Sequence, residues 1–176
     1  MFENVYTKQR IEKAEALRAV GKNPYTSVSK RDTDTASFIE KNQYIFDLED
    51  GSKKSDKSYT VSGRVKFLRL MGKAAFAKIE DEVGVIQIYY SKNDLGDWFA
   101  ELVKLVEVGD IVEVSGYAFV TKTGELTMHV QAMEILTKAI NQLPEKFHGL
   151  TDMETRYRQR YLDLIMNRDV LGTLKT

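Results

Sequence analysis

The stretch Tyr59-Thr-Val-Ser-Gly-Arg-Val-Lys-Phe-Leu-Arg-Leu-Met-Gly-Lys-Ala-Ala-Phe-Ala-Lys-Ile-Glu80 decides the architecture of this chain, because here the apolar period becomes two. Successive side chains of a β-strand point to opposite faces. Val61, Val65 and Phe67 are therefore expected inside, with Arg64 and Lys66 outside, until the alternation breaks at Leu68, Arg69 and Leu70. A bulge is expected at that break, and periodicity does not assign the facing of Arg69. Gly72 and Lys73 read as a strand-to-strand turn, since the upstream glycine of a phosphate-cradling loop is missing. Alternation then resumes, with Ala75, Ala77 and Ile79 as a small inner set and Phe76, Lys78 and Glu80 outside.

Downstream, the same period marks strands over 83–90, 110–120 and 125–133, after those over 59–70 and 74–80. Ile86 and Ile88 are expected inside, and Gln87 and Tyr89 outside. In the last strand Leu126, Met128 and Val130 go in, while Glu125, Thr127 and His129 come out. Between the third and fourth strands, Trp98, Leu102, Leu105 and Val106 repeat at helical spacing and predict one helix over 95–106. Five antiparallel strands with a helix in that place is the element order of the OB-fold, a partly open Greek-key barrel, so the fold class is mainly β with α.

Upstream, Ile11, Ala14, Leu17 and Val20 predict an amphipathic helix over 7–20, stopped by Gly21 and Pro24. Its Lys8, Arg10, Lys13 and Arg18 either follow a phosphate backbone or belong to a solvated mixed-charge face with Glu12 and Glu15. Phe38, Ile39, Asn42, Ile45 and Phe46 predict a shorter second helix, and 49–58 reads as a loop. At the other end Thr151 and Glu154 have the spacing of a capping box. The helix that follows puts Tyr157, Tyr161, Leu164 and Ile165 on one face and Arg156 with Arg160 on another. It looks built to pack against something beyond these residues, and a fragment boundary is expected near Thr176. Three segments result: an N-terminal helical extension over 1–57, the barrel over 58–137, and a linker with the start of another domain over 138–176.

Composition narrows the chemistry. The 176 residues are 43% hydrophobic, enough for one good core. There is no cysteine, which excludes disulfides, thiolate metal sites and cysteine nucleophiles and makes a reducing cytoplasm the default setting. His129 and His148 have no second ligand at metal spacing, so no metal site is expected. No apolar run reaches membrane-span length, and no membrane partner is expected. Lys plus Arg and Asp plus Glu both number 26, so only local charge can point to a nucleic-acid partner.

The expected outer face offers an aromatic ring, an amide, a carboxylate and basic groups, a set suited to single-stranded RNA. Phe76 would stack a base without identifying it, or else is an edge aromatic covered by neighbouring segments. Identification needs hydrogen bonds to the base edge, where Gln87 can donate and accept and the Glu125 carboxylate only accepts; otherwise both are ordinary polar residues of the outer face. Uracil carries a donor at N3 where cytosine carries an acceptor, so an acceptor placed there favours uracil.

The run Leu143-Pro-Glu-Lys-Phe-His-Gly-Leu-Thr-Asp-Met-Glu-Thr-Arg-Tyr-Arg-Gln-Arg-Tyr-Leu-Asp-Leu-Ile165 closely resembles the linker of class II lysyl-tRNA synthetases. The resemblance extends through Thr121-Lys-Thr-Gly-Glu-Leu126, Gly109-Asp-Ile111, Val85-Ile-Gln87 and Met71-Gly-Lys-Ala-Ala-Phe76, covering 60–167. It implies an OB-fold that reads the anticodon of lysine tRNA, whose central base is uracil, through Arg69, Phe76, Gln87 and Glu125. Arg69 rests on the resemblance alone.

The resemblance further implies a cytoplasmic enzyme, homodimeric at full length, that uses ATP and Mg2+ to attach lysine to tRNA. Its lysine and ATP sites lie in a following catalytic domain whose three class II motifs are absent from these residues. The chain alone is thus expected to have no catalytic residues, no cofactor and no activity. Tyr157, Tyr161 and the arginines around them then belong to a hinge helix packing on that domain rather than to an RNA patch. Aspartyl and asparaginyl synthetases share the barrel, the stacking Phe and the Gln but lack the Phe147-His-Gly-Leu150 run. A stand-alone RNA-binding OB module would leave the C-terminal helix without a partner.

Overall fold

A computed structural model describes residues 4–48, 53–144, 151–167 and 169–170. They fall into two compact units, Met1–Asn141 and Gln142–Thr176. The first contains α1 (Val5–Ala19), α2 (Thr35–Asn42) with a 3-10 turn Gln43–Asp47, β1 (Lys54–Met71), β2 (Ala74–Glu80), β3 (Val85–Ser91), α3 (Lys92–Leu95), α4 (Asp97–Leu105), β4 (Ile111–Val120) and β5 (Leu126–Thr137). The second contains α5 (Met153–Arg158) and α6 (Arg160–Met166).

The strands close into a barrel in the order β1-β2-β3-β5-β4. One long strand makes the closure possible. The first part of β1 pairs with β4, from Lys54 opposite Phe119 to Arg64 opposite Ile111, and its second part pairs with β2, from Arg64 opposite Glu80 to Met71 opposite Ala74. The expected Gly72-Lys73 turn joins β1 to β2, with Gly72 at φ 62°. Two expectations are corrected here. The barrel is closed rather than partly open, and not every pair is antiparallel, because β3 meets β5 in parallel over Gln87–Thr127, Ile88–Met128 and Tyr89–His129.

Inside, the alternating residues do as predicted. Val61, Val65, Ala75, Ala77, Ile79, Ile86, Ile88, Met128 and Val130 are all buried. Phe38 and Ile45 join this core from α2 and the 3-10 turn, Phe99, Leu102 and Leu105 from α4, and Leu17 from α1. Strand β4 needs a glycine at one point: a Cβ on Gly116 would stand 1.9 Å from the His129 carbonyl oxygen. That close approach coincides with the register shift between Ser115 and Gly116 in the β4–β5 ladder.

Several boundaries differ from the sequence reading. Strand β1 begins at Lys54, inside the span read as a loop, because 54–64 gains β4 as a hydrogen-bonding partner. The helix expected over 95–106 is found as α4 over Asp97–Leu105, and an unexpected short α3 precedes it, the two divided at Gly96 with φ 59°. Helix α5 is capped by Asp152, whose carboxylate accepts from Thr155 N at 2.8 Å, not by Thr151. The single C-terminal helix is likewise divided at Gln159, where φ −120° and ψ 61° leave the helical region.

On α1, Ala14 and Leu17 are buried while Ile11 and Val20 are exposed, so the apolar stripe is narrower than its period implied. Two basic residues of α1, Arg10 and Lys13, serve the fold. Arg10 is buried and donates to the carbonyls of Ala139 at 2.9 Å and Val108 at 3.1 Å, Lys13 pairs with Glu107 at 2.9 Å, and Arg18 pairs with Glu15. Nearby, the Lys138 ammonium, with no side-chain exposure, meets Asp110 Oδ2 at 2.6 Å and donates to Leu105 O at 2.5 Å. Asp110 accepts in turn from the backbone of Glu107 and Ala139 at 2.8 Å each. Together these bonds tie α1, the end of α4, the start of β4 and the end of β5.

The β2–β3 turn is organised by Asp81. Its carboxylate accepts from Thr35 N at 2.9 Å, Thr35 Oγ1 at 2.6 Å, Val83 N at 3.0 Å and Gly84 N at 2.9 Å, with Arg31 at 3.2 Å. Burial alone would raise its pKa, but the hydrogen bonds outweigh it and hold the group below the usual carboxylate range.

Lys138→Met leaves the Asp110 charge buried without its counter-ion and is expected to cost about 3–5 kcal/mol in urea unfolding. A small loss would show that the pair contributes little to holding the fold. For Asp81 the depressed folded pKa sets the sign: its contribution is complete above about pH 4 and is lost as pH falls through the folded value. Asp81→Asn should lower stability at pH 7 and flatten its decline below about pH 4, as followed by thermal melts.

Candidate functional site

A one-residue slip in β1 builds the outer surface. Val65 pairs with Ile79, but the next pair is Phe67 with Lys78, which makes Lys66 the extra residue of a bulge. After it the facing is inverted: Phe67, Arg69 and Met71 share the outer face with Phe76 and Lys78. Phe67, expected inside, is 49% exposed for this reason, and Arg69 acquires the facing that periodicity left open.

The register then lines up two rows across the barrel. One runs Arg69, Phe76, Tyr89, His129, Tyr117, each beside the next on the neighbouring strand. The other runs Phe67, Lys78, Gln87, Thr127, Phe119. An open groove of about 620 Å³ lies over them, completed by Met71, Glu125 and the β4–β5 hairpin residues Thr121, Lys122 and Thr123. Arg69, Phe76, Gln87 and Glu125, the four residues singled out from sequence, all line it.

The rings touch within the first row and across to the second. Phe76 and Tyr89 have centroids 5.1 Å apart at 55°, Tyr89 meets Phe119 at 6.1 Å and His129 at 5.2 Å, and His129 stacks on Tyr117 at 4.9 Å and 15°. Such contacts hold the rings of this platform in place. Phe76 is neither sealed in the core nor fully exposed. The imidazole Nε2 of His129 stands 2.9 Å from Asp94 Oδ1. Burial would raise the Asp94 pKa, yet hydrogen bonds from Ser91 and His129 prevail and lower it.

The polar groups sit beside this platform. Glu125 Oε1 lies 3.2 Å from Lys78 Nζ, with both side chains 45% exposed. At that exposure an ion pair contributes only about 0.2–1 kcal/mol, so a ligand can displace it at little cost. Gln87 Nε2 donates to Thr127 Oγ1 at 2.9 Å. Glu125 is positioned by the hairpin turn, where its N–H donates to Thr121 Oγ1 at 3.0 Å and Gly124 takes φ 83°. The groove therefore combines a stacking surface with an acceptor-only group, an amide and the cations Arg69 and Lys122, with Lys78 paired to Glu125 beside it.

Tyr117 and Phe119 escaped the sequence reading, although alternation with buried Ala118 would have placed them outside had it been applied to the fourth strand. Phe67 and Met71 depend on the bulge. The Asp94 carboxylate beside His129 escaped because it comes from a different element. Among the described residues no group of three or more His, Cys, Asp or Glu is placed to hold a metal, and His148 lies outside those residues. In the second unit, Arg156 and Arg160 both clasp the buried Asp163, at 2.8 and 2.7 Å, while Tyr157 and Tyr161 are exposed.

Residues 59–136 match the family model of the OB-fold nucleic acid binding domain. Over 175 residues the chain is 58% identical to a lysine–tRNA ligase of Wolinella succinogenes, an alignment covering 99% of this chain and 34% of that protein. It is 55% identical to the lysine–tRNA ligases of Aliarcobacter butzleri, over 98% of this chain and 34% of the relative, and of Helicobacter pylori strain G27, over 99% and 35%. The chain spans about a third of the length of these curated relatives.

Phe76→Ala should weaken binding of a short single-stranded RNA by about 1–3 kcal/mol, whatever the base. Fluorescence anisotropy with oligouridylate and oligocytidylate measures it, and unchanged affinity for both would remove Phe76 from the binding surface.

Proposed function

Because this chain corresponds to the N-terminal region of the lysine–tRNA ligase family and carries the family's anticodon-binding OB-fold domain, we infer that its groove reads the central uracil of the lysine tRNA anticodon. Phe76 stacks the unpaired base, as an aromatic ring on an outer sheet face can do for any nucleotide. Arg69 supplies donors from the adjoining strand, and Gln87 and Glu125 address the Watson–Crick edge. The observation that carries this reading is the convergence of all four side chains on one groove of the barrel.

The Glu125 carboxylate supplies the discrimination. It accepts from the N3–H of uracil, whereas facing the N3 acceptor of cytosine leaves both groups unpaired. Release of Lys78 accompanies this exchange and frees a cation for the RNA backbone. In the full-length protein the recognised tRNA would be charged with lysine, at the expense of ATP and with Mg2+, by a following catalytic domain in a cytoplasmic homodimer. In that arrangement 1–57 is the helical extension, 58–137 the reading domain and 138–176 the linker into the catalytic domain. The 176-residue chain alone should form no adenylate, having none of the class II motifs.

An anticodon stem-loop with three uracils should bind more tightly than one with a central cytosine, by about 1–3 kcal/mol. Both affinities should fall as salt rises, since phosphate contacts release counterions. Glu125→Gln should erode the difference more than the affinity. Equal titrations of the two RNAs by the unaltered chain would end the uracil-reading assignment and leave only generic binding.

A further inference from the structure

Beside the groove, Thr127 makes two bonds whose direction can be worked out. It is on the outer face of β5 yet has no exposure, because Gln87 and its neighbours cover it. Its Oγ1 donates to the backbone carbonyl of Glu125 at 3.2 Å and accepts from Gln87 Nε2 at 2.9 Å. A hydroxyl has one proton. With that proton committed to Glu125 O, only lone pairs face Gln87, so the glutamine must present N–H to Thr127. The opposite end of the amide, the carbonyl Oε1, is then the end left for the groove that Gln87 lines.

A glutamine free to rotate about its last bond offers a base either its carbonyl or its NH2, and so accommodates either uracil N3–H or cytosine N3. Resting on the anticodon reading above, we propose that Thr127 is a positioning residue for base choice: it fixes the polarity of the Gln87 amide so that the groove presents an acceptor. The chain of bonds runs from Gln87 N–H to Thr127 O–H to Glu125 C=O, which also links the amide to the backbone of the carboxylate residue beside it. The single N3–H of uracil is thus shared between two neighbouring acceptors, one permanent at Glu125 and one set by Thr127, whereas the N3 acceptor of cytosine meets a donor from neither. No contact between Thr127 and the RNA is needed.

Thr127→Val keeps the shape and removes the hydroxyl. In the 176-residue chain it should reduce the preference for the three-uracil stem-loop over its central-cytosine counterpart by about tenfold, with smaller change in affinity for the cytosine RNA. Thr127→Ser should restore the preference, and in a Gln87→Ala background Thr127→Val should have no further effect on it. Full preference in Thr127→Val, or the same loss with and without Gln87, would overturn the proposal. Independently of any variant, the Gln87 side-chain amide protons of the free, unaltered chain should exchange with solvent more slowly than those of the exposed Gln131. Equal rates would also overturn it. Failure of the anticodon reading shows differently, as an absence of uracil preference in the unaltered chain while the Gln87 protons remain protected.

Discussion

The whole contribution of β1 to the outer surface depends on one extra residue in one ladder. Without the bulge at Lys66, strict alternation would carry Arg69 and Met71 to the same side as Val65, into the barrel. A long guanidinium and a thioether would then compete with Ala75, Ala77 and Ile79 for a core already filled by small and branched residues. The slip resolves this by changing sides once, after β1 has finished pairing with β4 and while it pairs with β2. The strand that closes the barrel thus also supplies the first member of both cross-barrel rows.

Electrostatics divide along the same lines. A chain with equal numbers of acidic and basic residues has no general attraction for a polyanion, and the charges are sorted by place. Those that hold the fold are buried and heavily bonded: Lys138 with Asp110, Arg10 with two carbonyls, Asp81 with a ring of donors. Those at the groove, Lys78 with Glu125, stay close to half exposed and weakly paired. The first group could not change partners without loss of the structure, whereas the second can, and that difference separates scaffold from surface.

How much of this was legible in the residue string follows from the range of the interactions. Period-two alternation is local, and it placed Phe76, Gln87, Thr127 and His129 correctly because each sits in an uninterrupted stretch of strand. Phe67 was misplaced because a bulge is a property of two strands together; the sequence of one shows only that alternation fails. The basic face of α1 looked available for phosphate, but Arg10 and Lys13 are claimed by Val108, Ala139 and Glu107, roughly a hundred residues or more away along the chain. The start of β1 at Lys54 and the parallel meeting of β3 with β5 are likewise long-range choices. Helix breaks at Gly96 and Gln159 are local, yet the hydrophobic spacing runs through both and concealed them.

The short parallel seam between β3 and β5 has a mechanical meaning. It joins only three residue pairs, where every other seam of the barrel is longer and antiparallel, so it is where the ring is least firmly sewn. Of those pairs, Gln87, Tyr89 and His129 line the groove, and Thr127 is buried beside Gln87. A nucleotide bridging Phe76, Gln87 and Glu125 would fasten both banks of that seam like a rivet. Occupancy and cohesion would then become a single property of that seam.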